Sequence, residues 1–402
     1  MILPDVVLYQ NDCYKLREYI LDRSNVVCAF NMGDVFEQVT RPACIIAFEI
    51  RKPTDNVITV ANYTKIPKML KPDAMNDASL FEHVSQSEIR RIPRNIFITS
   101  DVSNYRIWTQ AISTNQAPLR QFVDGDGIQR GVSPDYKEAF IVDSKTKRSA
   151  KLEKDHVKRV LTGGRQVKRY TIEYPDLWLI YTSDDDDFSE LPNIKRYIDK
   201  FRAQITCKEV KQKKHSRYAL HRARDPRIFS KPEKLVGVIT EDEIIVAIDR
   251  TAIVVTDGCY VFGVHEGVNI HYIMALLNST LFVFLYRLFA LEKARVLAQV
   301  KPTLIEDMPI RVIDPHNEEQ VKAHDRLVAL STELEGLYTN LHASKSEHER
   351  RTLDRQISHD KAEINNIVFQ LYKLSDEDIG LIQGNPLVVA EAVSVEAVPA
   401  ES

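Results

Sequence analysis

Between residues 316 and 373 the apolar residues Val321, Leu327, Leu330, Leu334, Leu337 and Leu341 recur at helical spacing, followed by Leu353, Ile357, Ile364, Ile367 and Leu371. Steps of three, four and seven residues keep such side chains on one helix face. The pattern predicts a helical hairpin that turns near Ala343-Ser344-Lys345. It also limits what precedes it, because the rest of the chain has no comparable run. Residues 122–315 instead break into short apolar segments bounded by turn residues, such as Phe140-Ile141-Val142, Leu177 to Tyr181 and Ile244 to Ile248. Short segments of this kind predict a mainly β region.

The first fifty residues predict strand, helix, strand, strand. Asn11 or Asp12 can cap a helix through Asp22 whose apolar residues are Tyr14, Leu16, Tyr19 and Ile20. Val26 to Phe30 is a strand closed by Asn31-Met32-Gly33. Ala43 to Ile50 is a continuous apolar run, expected for a strand buried on both faces. Residues 53–120, with five prolines, predict short strands and loops. The fold class is α+β: a partial α/β sheet, a mainly β domain and a C-terminal helical hairpin. The expected boundaries are 1–120, 121–315, 316–380 and a disordered tail at 381–402.

The formal net charge of −3 hides an uneven distribution. Residues 195–234 hold fourteen Lys/Arg against four Asp/Glu, whereas residues 316–402 hold eight against sixteen. The basic centre is Lys208 to Arg224, with Lys211, Lys213, Lys214, Arg217, Arg222 and Arg224 interleaved with His215, Tyr218 and His221. Lysine and arginine neutralise phosphates and release counterions, and arginine can also grip a guanine edge. A solvated basic loop is the competing reading. A second basic patch comprises Lys158-Arg159 and Arg165, Lys168, Arg169 and Tyr170, around the turn Thr162-Gly163-Gly164. That turn is not a phosphate loop, because no Gly-Lys-Ser/Thr follows it.

The acidic run Asp184 to Asp187 predicts a solvated turn, since adjacent carboxylates repel without an ion. Cys13, Cys28, Cys44, Cys207 and Cys259 show no Cys-x-x-Cys hook and are expected to be reduced, mostly buried thiols. No metal site is expected. The most apolar stretch, Ile270 to Leu291, is interrupted by His271, Asn278 and Arg287, so no membrane span is expected. The N-terminus lacks signal-peptide character, which suggests a cytoplasmic protein.

Three groups of residues resemble the TaqI-like adenine-specific DNA methyltransferases and their type IIG restriction-modification relatives. Leu16-Arg17-Glu18-Tyr19-Ile20-Leu21, Gly33-Asp34-Val35-Phe36 and Cys44 to Phe48 are similar to the last helix and final β-hairpin of the family's catalytic domain. Gly127-Ile128-Gln129-Arg130-Gly131, Ala139-Phe140-Ile141 and Val160 to Tyr170 are similar to the opening of its specificity domain. Leu276-Leu277-Asn278-Ser279 and Met308-Pro309-Ile310 resemble its close, and Ile364-Asn365-Asn366-Ile367-Val368 the helical end of longer members.

The resemblance covers about residues 1–380. It implies a DNA sequence-recognition part acting on double-stranded DNA. It implies Phe36 as the aromatic that stacks on a flipped adenine, and Arg130, Arg165, Lys168, Arg169, Tyr170 and the cations and Tyr218 of residues 211–224 as DNA-facing. The family's glycine-rich turn for S-adenosylmethionine and its Asn-Pro-Pro-Tyr loop do not occur in the sequence; its one Asn-Pro, Asn385-Pro386, continues with Leu387. This chain alone is therefore expected to hold no cofactor. S-adenosylmethionine would belong to the complete enzyme, on a partner chain or an N-terminal half carrying those motifs. The alternative is a non-enzymatic DNA-binding or interaction protein derived from such an enzyme. Asp34 with Glu49-Ile50-Arg51 imitates a nuclease metal motif, but arginine replaces its lysine.

Overall fold

A computed structural model describes residues 1–36, 41–241, 243–290 and 299–385. Of the tail expected to be disordered, residues 381–384 are helical, which corrects that part, and the residues beyond Asn385 lie outside the described residues. The chain forms two compact units, Met1–Gln116 with residues from Tyr372 onward, and Ala117–Leu371.

In the first unit, β1 (Ile2–Pro4), β2 (Asn25–Gly33), β3 (Ala43–Glu49), β4 (Val57–Asn62) and β5 (Glu82–Ser85) form one sheet in the order β1-β3-β2-β4-β5. The β2–β3 hairpin is antiparallel, with Ala29 opposite Ile46 and Phe30 opposite Ile45, and β1 extends it beyond β3. Only β2–β4 is parallel. The register slips between Val26 and Cys28, so Val27 bulges out and is exposed. The expectation that Ala43 to Ile50 is covered on both faces is corrected on β3. Ala43, Cys44 and Ile46 are buried, but Ile45, Ala47 and Phe48 are half-buried and Ile50 is exposed.

Helix α1 (Tyr14–Arg23) starts later than predicted. A 3-10 turn at Asn11–Cys13 leads into it, with the Cys13 N–H on the Gln10 carbonyl at 3.1 Å, so no side-chain cap is used. Arg17 is fully buried. Its guanidinium donates to the carbonyls of Val7 (3.0 Å), Gln10 (2.8 Å) and Arg94 (3.1 and 3.0 Å). Burial lowers its pKa to about 10. The arginine of the Leu-Arg-Glu motif thus joins three carbonyls of two backbone segments. Helix α2 (Val102–Ser113), which buries Ile107, Trp108 and Ala111, occupies a stretch expected to be strands and loops.

The second unit is built on two four-stranded sheets. Strands β6 (Gln129–Arg130), β7 (Ile141–Val142), β8 (Val157–Leu161), β9 (Trp178–Ile180), β10 (Lys234–Val238), β11 (Val246–Asp249), β12 (Val254–Val255) and β13 (Cys259–Phe262) pair as β12-β8-β9-β7 and β11-β10-β13-β6. Val160, Leu161, Leu179 and Ile180 from one sheet and Val236, Val238, Ala247 and Val261 from the other share one core. Phe140, predicted in a strand, closes a short helix before β7.

Helices α3 (Ile270–Leu277) and α4 (Thr280–Phe289) are almost wholly buried. Among the described residues no single helix is long and apolar enough to cross a membrane. The Leu-Asn-Ser motif breaks α3 from α4. Asn278 hydrogen-bonds both the N–H (3.1 Å) and the carbonyl (2.9 Å) of Val246, so its amide stands in for a strand along the edge of β11. Ser279 then caps α4. The predicted hairpin is present as α5 (Glu318–Ala343) and α6 (Glu347–Leu371), burying Leu327, Leu330, Leu334, Ile357 and Ile364. Asn365 accepts the Thr280 N–H at 2.9 Å, seating α6 on the start of α4. In the first unit α7 (Asp376–Gly384) opens with a Ser375 capping box.

Candidate nucleic-acid interface

The basic segment is an irregular loop between a short helix at Lys208–Lys211 and another at Pro226–Phe229. It has no extended apolar face, so side-chain hydrogen bonds hold it. Asp184 Oδ1 accepts the Ser216 N–H at 2.7 Å, and its other oxygen meets His215 Nδ1. The Thr182 hydroxyl donates to the Tyr218 carbonyl at 2.6 Å, and the Leu220 N–H to the Thr182 carbonyl at 2.9 Å. Asp135 accepts the Cys207 N–H at 2.9 Å. The acidic turn read as solvated is therefore, at Asp184, the tether of the basic loop.

On that tethered loop Lys211, Lys213 and Lys214 are exposed and Arg217 is half-exposed. Lys213, Lys214, His215, Ser216, Arg217 and Tyr218 line an open cleft of 440 Å³. Tyr218 is half-buried there. Its ring lies 5.4 Å from that of Phe188, and its hydroxyl donates to Asp199 at 2.8 Å. Burial, then Asp199, pushes its phenol up.

The loop's far end meets the opening of the unit. Ser133 and Arg222 exchange backbone hydrogen bonds at 3.3 and 3.2 Å, and Arg224 Nε donates to the Gly131 carbonyl at 3.3 Å. The bridge places exposed Arg222 opposite Ser133, three residues beyond exposed Arg130 on edge strand β6, although the two arginines are 92 positions apart in sequence. Gly131 is required there: a Cβ would lie 2.2 Å from the carbonyl oxygens of Val255 and Thr256.

The second basic patch divides. Arg165 and Lys168 are exposed. Arg169 faces inward and pairs with Glu243 at 3.0 Å, and the other Glu243 oxygen pairs with Arg287 at 2.9 Å. Tyr170 is 2% exposed, has a left-handed backbone (φ 65°) and stacks on Tyr338 with ring centroids 6.3 Å apart. The turn before them is closed by Gln166, which accepts the Thr162 N–H at 2.8 Å.

In the first unit Phe36 is 46% exposed just beyond the end of β2. The segment leading to it is fixed by two lysines: Lys71 Nζ donates to the Asp34 carbonyl at 2.9 Å, and Lys68 Nζ to the Phe36 carbonyl at 3.1 Å. Asp34 itself pairs with Lys68 at 3.3 Å. Among the five free thiols only Cys44 and Cys259 are buried, and burial pushes them up to about 11 and about 12.

With these sheets, caps and cations placed, the chain can be compared with known proteins. Residues 159–310 match the TaqI-like C-terminal specificity domain. The match opens on the second basic patch, contains the whole basic loop, and closes on the Met-Pro-Ile segment. There the Met308 carbonyl accepts the Leu119 N–H at 2.9 Å. None of the curated proteins matches the chain. Among solved structures, the type IIL restriction-modification enzyme MmeI in complex with DNA is similar over 98% of this chain and 49% of its own, with TM-score 0.50 and 12% identity. The type IIG restriction endonuclease BpuSI covers 92% of this chain and 47% of its own, with TM-score 0.38 and 10% identity. The chain spans about half the length of either enzyme.

Proposed function

We propose that this chain is the DNA sequence-recognition part of an adenine-specific methyltransferase of the restriction-modification type. The observation that carries the reading is a row of cations, exposed Lys211, Lys213 and Lys214 with half-exposed Arg217, on a side-chain-tethered loop inside a match to the TaqI-like specificity domain. Exposed Arg130, Arg165, Lys168 and Arg222 extend the phosphate-binding surface. The purified chain should bind duplex DNA with a steep salt dependence, at about 0.9 log units per phosphate contacted. Replacing Lys211, Lys213 and Lys214 with Gln should flatten that slope by up to about 2.7. An affinity that does not change between low and moderate salt would count against the assignment.

The methyl-transfer half belongs elsewhere in the enzyme. The crossover from β1 to α1, Asp5 to Cys13, contains no glycine, so it offers no close backbone cradle for S-adenosylmethionine. Two features fit a partner that supplies the cofactor and Asn-Pro-Pro-Tyr motifs. The outer edge of β1 is unpaired among the described residues, and α1 leaves Leu16 and Tyr19 exposed. Phe36 then serves as the platform for an adenine flipped out of the duplex, where stacking offsets part of the unpairing cost. Assembled with such a partner, acting on cytoplasmic DNA, the pair should methylate adenine, and Phe36→Ala should lower transfer without releasing the partner. Full transfer by the Phe36→Ala pair would remove this role, and a stable monomer that ignores every such partner would remove the assembly.

A further inference from the structure

The ends of the basic loop bring together three side chains with no shared pattern in the sequence. Cys207 Sγ, a Glu209 carboxylate oxygen and a His221 ring nitrogen all lie within 4.8 Å of one another. His221 Nε2 and Glu209 Oε2 are 3.4 Å apart. Zinc bonds of about 2.0 Å to nitrogen and oxygen and about 2.3 Å to sulfur place tetrahedral ligands about 3.3–3.6 Å from each other. One pair is already at that spacing, and the sulfur needs a shift of about 1.3 Å at most. Cys207 and His221 are half-buried and Glu209 is exposed, so an ion could enter without unfolding the loop.

We propose that Cys207, Glu209 and His221 bind a zinc ion. Thiolate, imidazole and carboxylate form a donor set for a borderline-soft divalent cation, whereas calcium and magnesium take oxygen-only shells. A thiolate and a carboxylate balance the ion's two charges, so the site stays neutral within a cationic loop. Asp135 stands behind the thiol, accepting the Cys207 N–H at 2.9 Å, and so fixes the ligand's backbone as outer-shell carboxylates do. The ion joins the start of the loop to its end. It thereby limits the freedom of the intervening segment that carries Lys211, Lys213, Lys214 and Arg217. A water molecule would complete the four-coordinate shell, and the ion's role is to brace the loop, separate from the methyl-transfer chemistry.

The test uses the full chain, stripped with chelator and titrated with cobalt(II) and then zinc. Cobalt should give one equivalent of a tetrahedral spectrum with a thiolate charge-transfer band, which zinc displaces. Cys207→Ser should abolish the band, and Glu209→Gln and His221→Gln should weaken binding by more than about tenfold. Cys13→Ser should leave it unchanged. Trypsin should cleave after Lys211, Lys213 or Lys214 more slowly with zinc in the parent chain, and at the same rate with or without zinc in Cys207→Ser. Glu209→Gln alters an exposed side chain and keeps the fold, so its weaker binding reads the site rather than misfolding. No cobalt band, or a band that survives Cys207→Ser, would overturn the proposal. Metal content and DNA affinity are separate measurements, so the loss of either leaves the other standing.

Discussion

Residues 165–170 and 208–224 are both dense in cations, and the chain uses them in opposite ways. In the first stretch three of the six residues are drawn inward: Val167 and Tyr170 are buried, and Arg169 shares Glu243 with Arg287. In the second, the backbone is held from behind by Asp135, Thr182 and Asp184, and the lysines are left to solvent. A guanidinium whose counter-ion comes from its own protein contributes to the fold. A lysine held only through its backbone remains available for a phosphate. Local charge density does not separate these cases; the location of the nearest carboxylates does.

The sharpest way to break this contrast is to remove one carboxylate. Glu243→Gln removes the carboxylate that Arg169 and Arg287, side chains only 12% and 9% exposed, share. Breaking a largely buried ion pair from one side costs about 3 kcal/mol or more. The variant should show that loss as a lower unfolding midpoint, with the salt slope of DNA binding kept in the folded protein. The triple replacement at Lys211, Lys213 and Lys214 should do the reverse, changing stability by less than about 0.5 kcal/mol. Equal loss of stability in the two variants would mean that both stretches serve the fold.

Much of this molecule was legible in its sequence because local rules and tertiary packing agree there. The α5–α6 hairpin follows its apolar spacing, since most of that face is buried. The Leu-Asn-Ser segment could be recognised as a motif, but not for its reason: the partner of Asn278 is Val246, thirty-two residues earlier. Helix α2 escaped because its buried side is only Ile107, Trp108 and Ala111, and its leading residue, Asp101, has a left-handed backbone with no side-chain cap. Asp184 looked like one of four equivalent carboxylates until the loop's return gave it His215 and Ser216. Cys207, Glu209 and His221 match no ligand spacing, because a loop closure rather than a helix or turn brings them together.

Tyr218 offers the smallest and most discriminating test, because it sits between the two behaviours. An aromatic within a basic loop is an obvious base-stacking residue, and such stacking is worth about 1–3 kcal/mol per base. Tyr218 lines the cleft beside Lys213 and Arg217, yet its ring packs beside Phe188 and its hydroxyl donates to Asp199, with Lys195 Nζ 5.7 Å from the ring centroid. If Tyr218 anchors the loop, Tyr218→Phe loses one partly exposed hydrogen bond and about 1 kcal/mol of stability. DNA affinity should then fall by less than about threefold, since about 0.6 kcal/mol or less reaches the bound state. If Tyr218 stacks on a base, phenylalanine substitutes fully, and only Tyr218→Ala weakens DNA binding, at little cost to the fold. Chemical denaturation and a DNA titration of the two variants separate these outcomes. We expect the anchor's signature, because both the hydroxyl and the ring already have partners, Asp199 and Phe188.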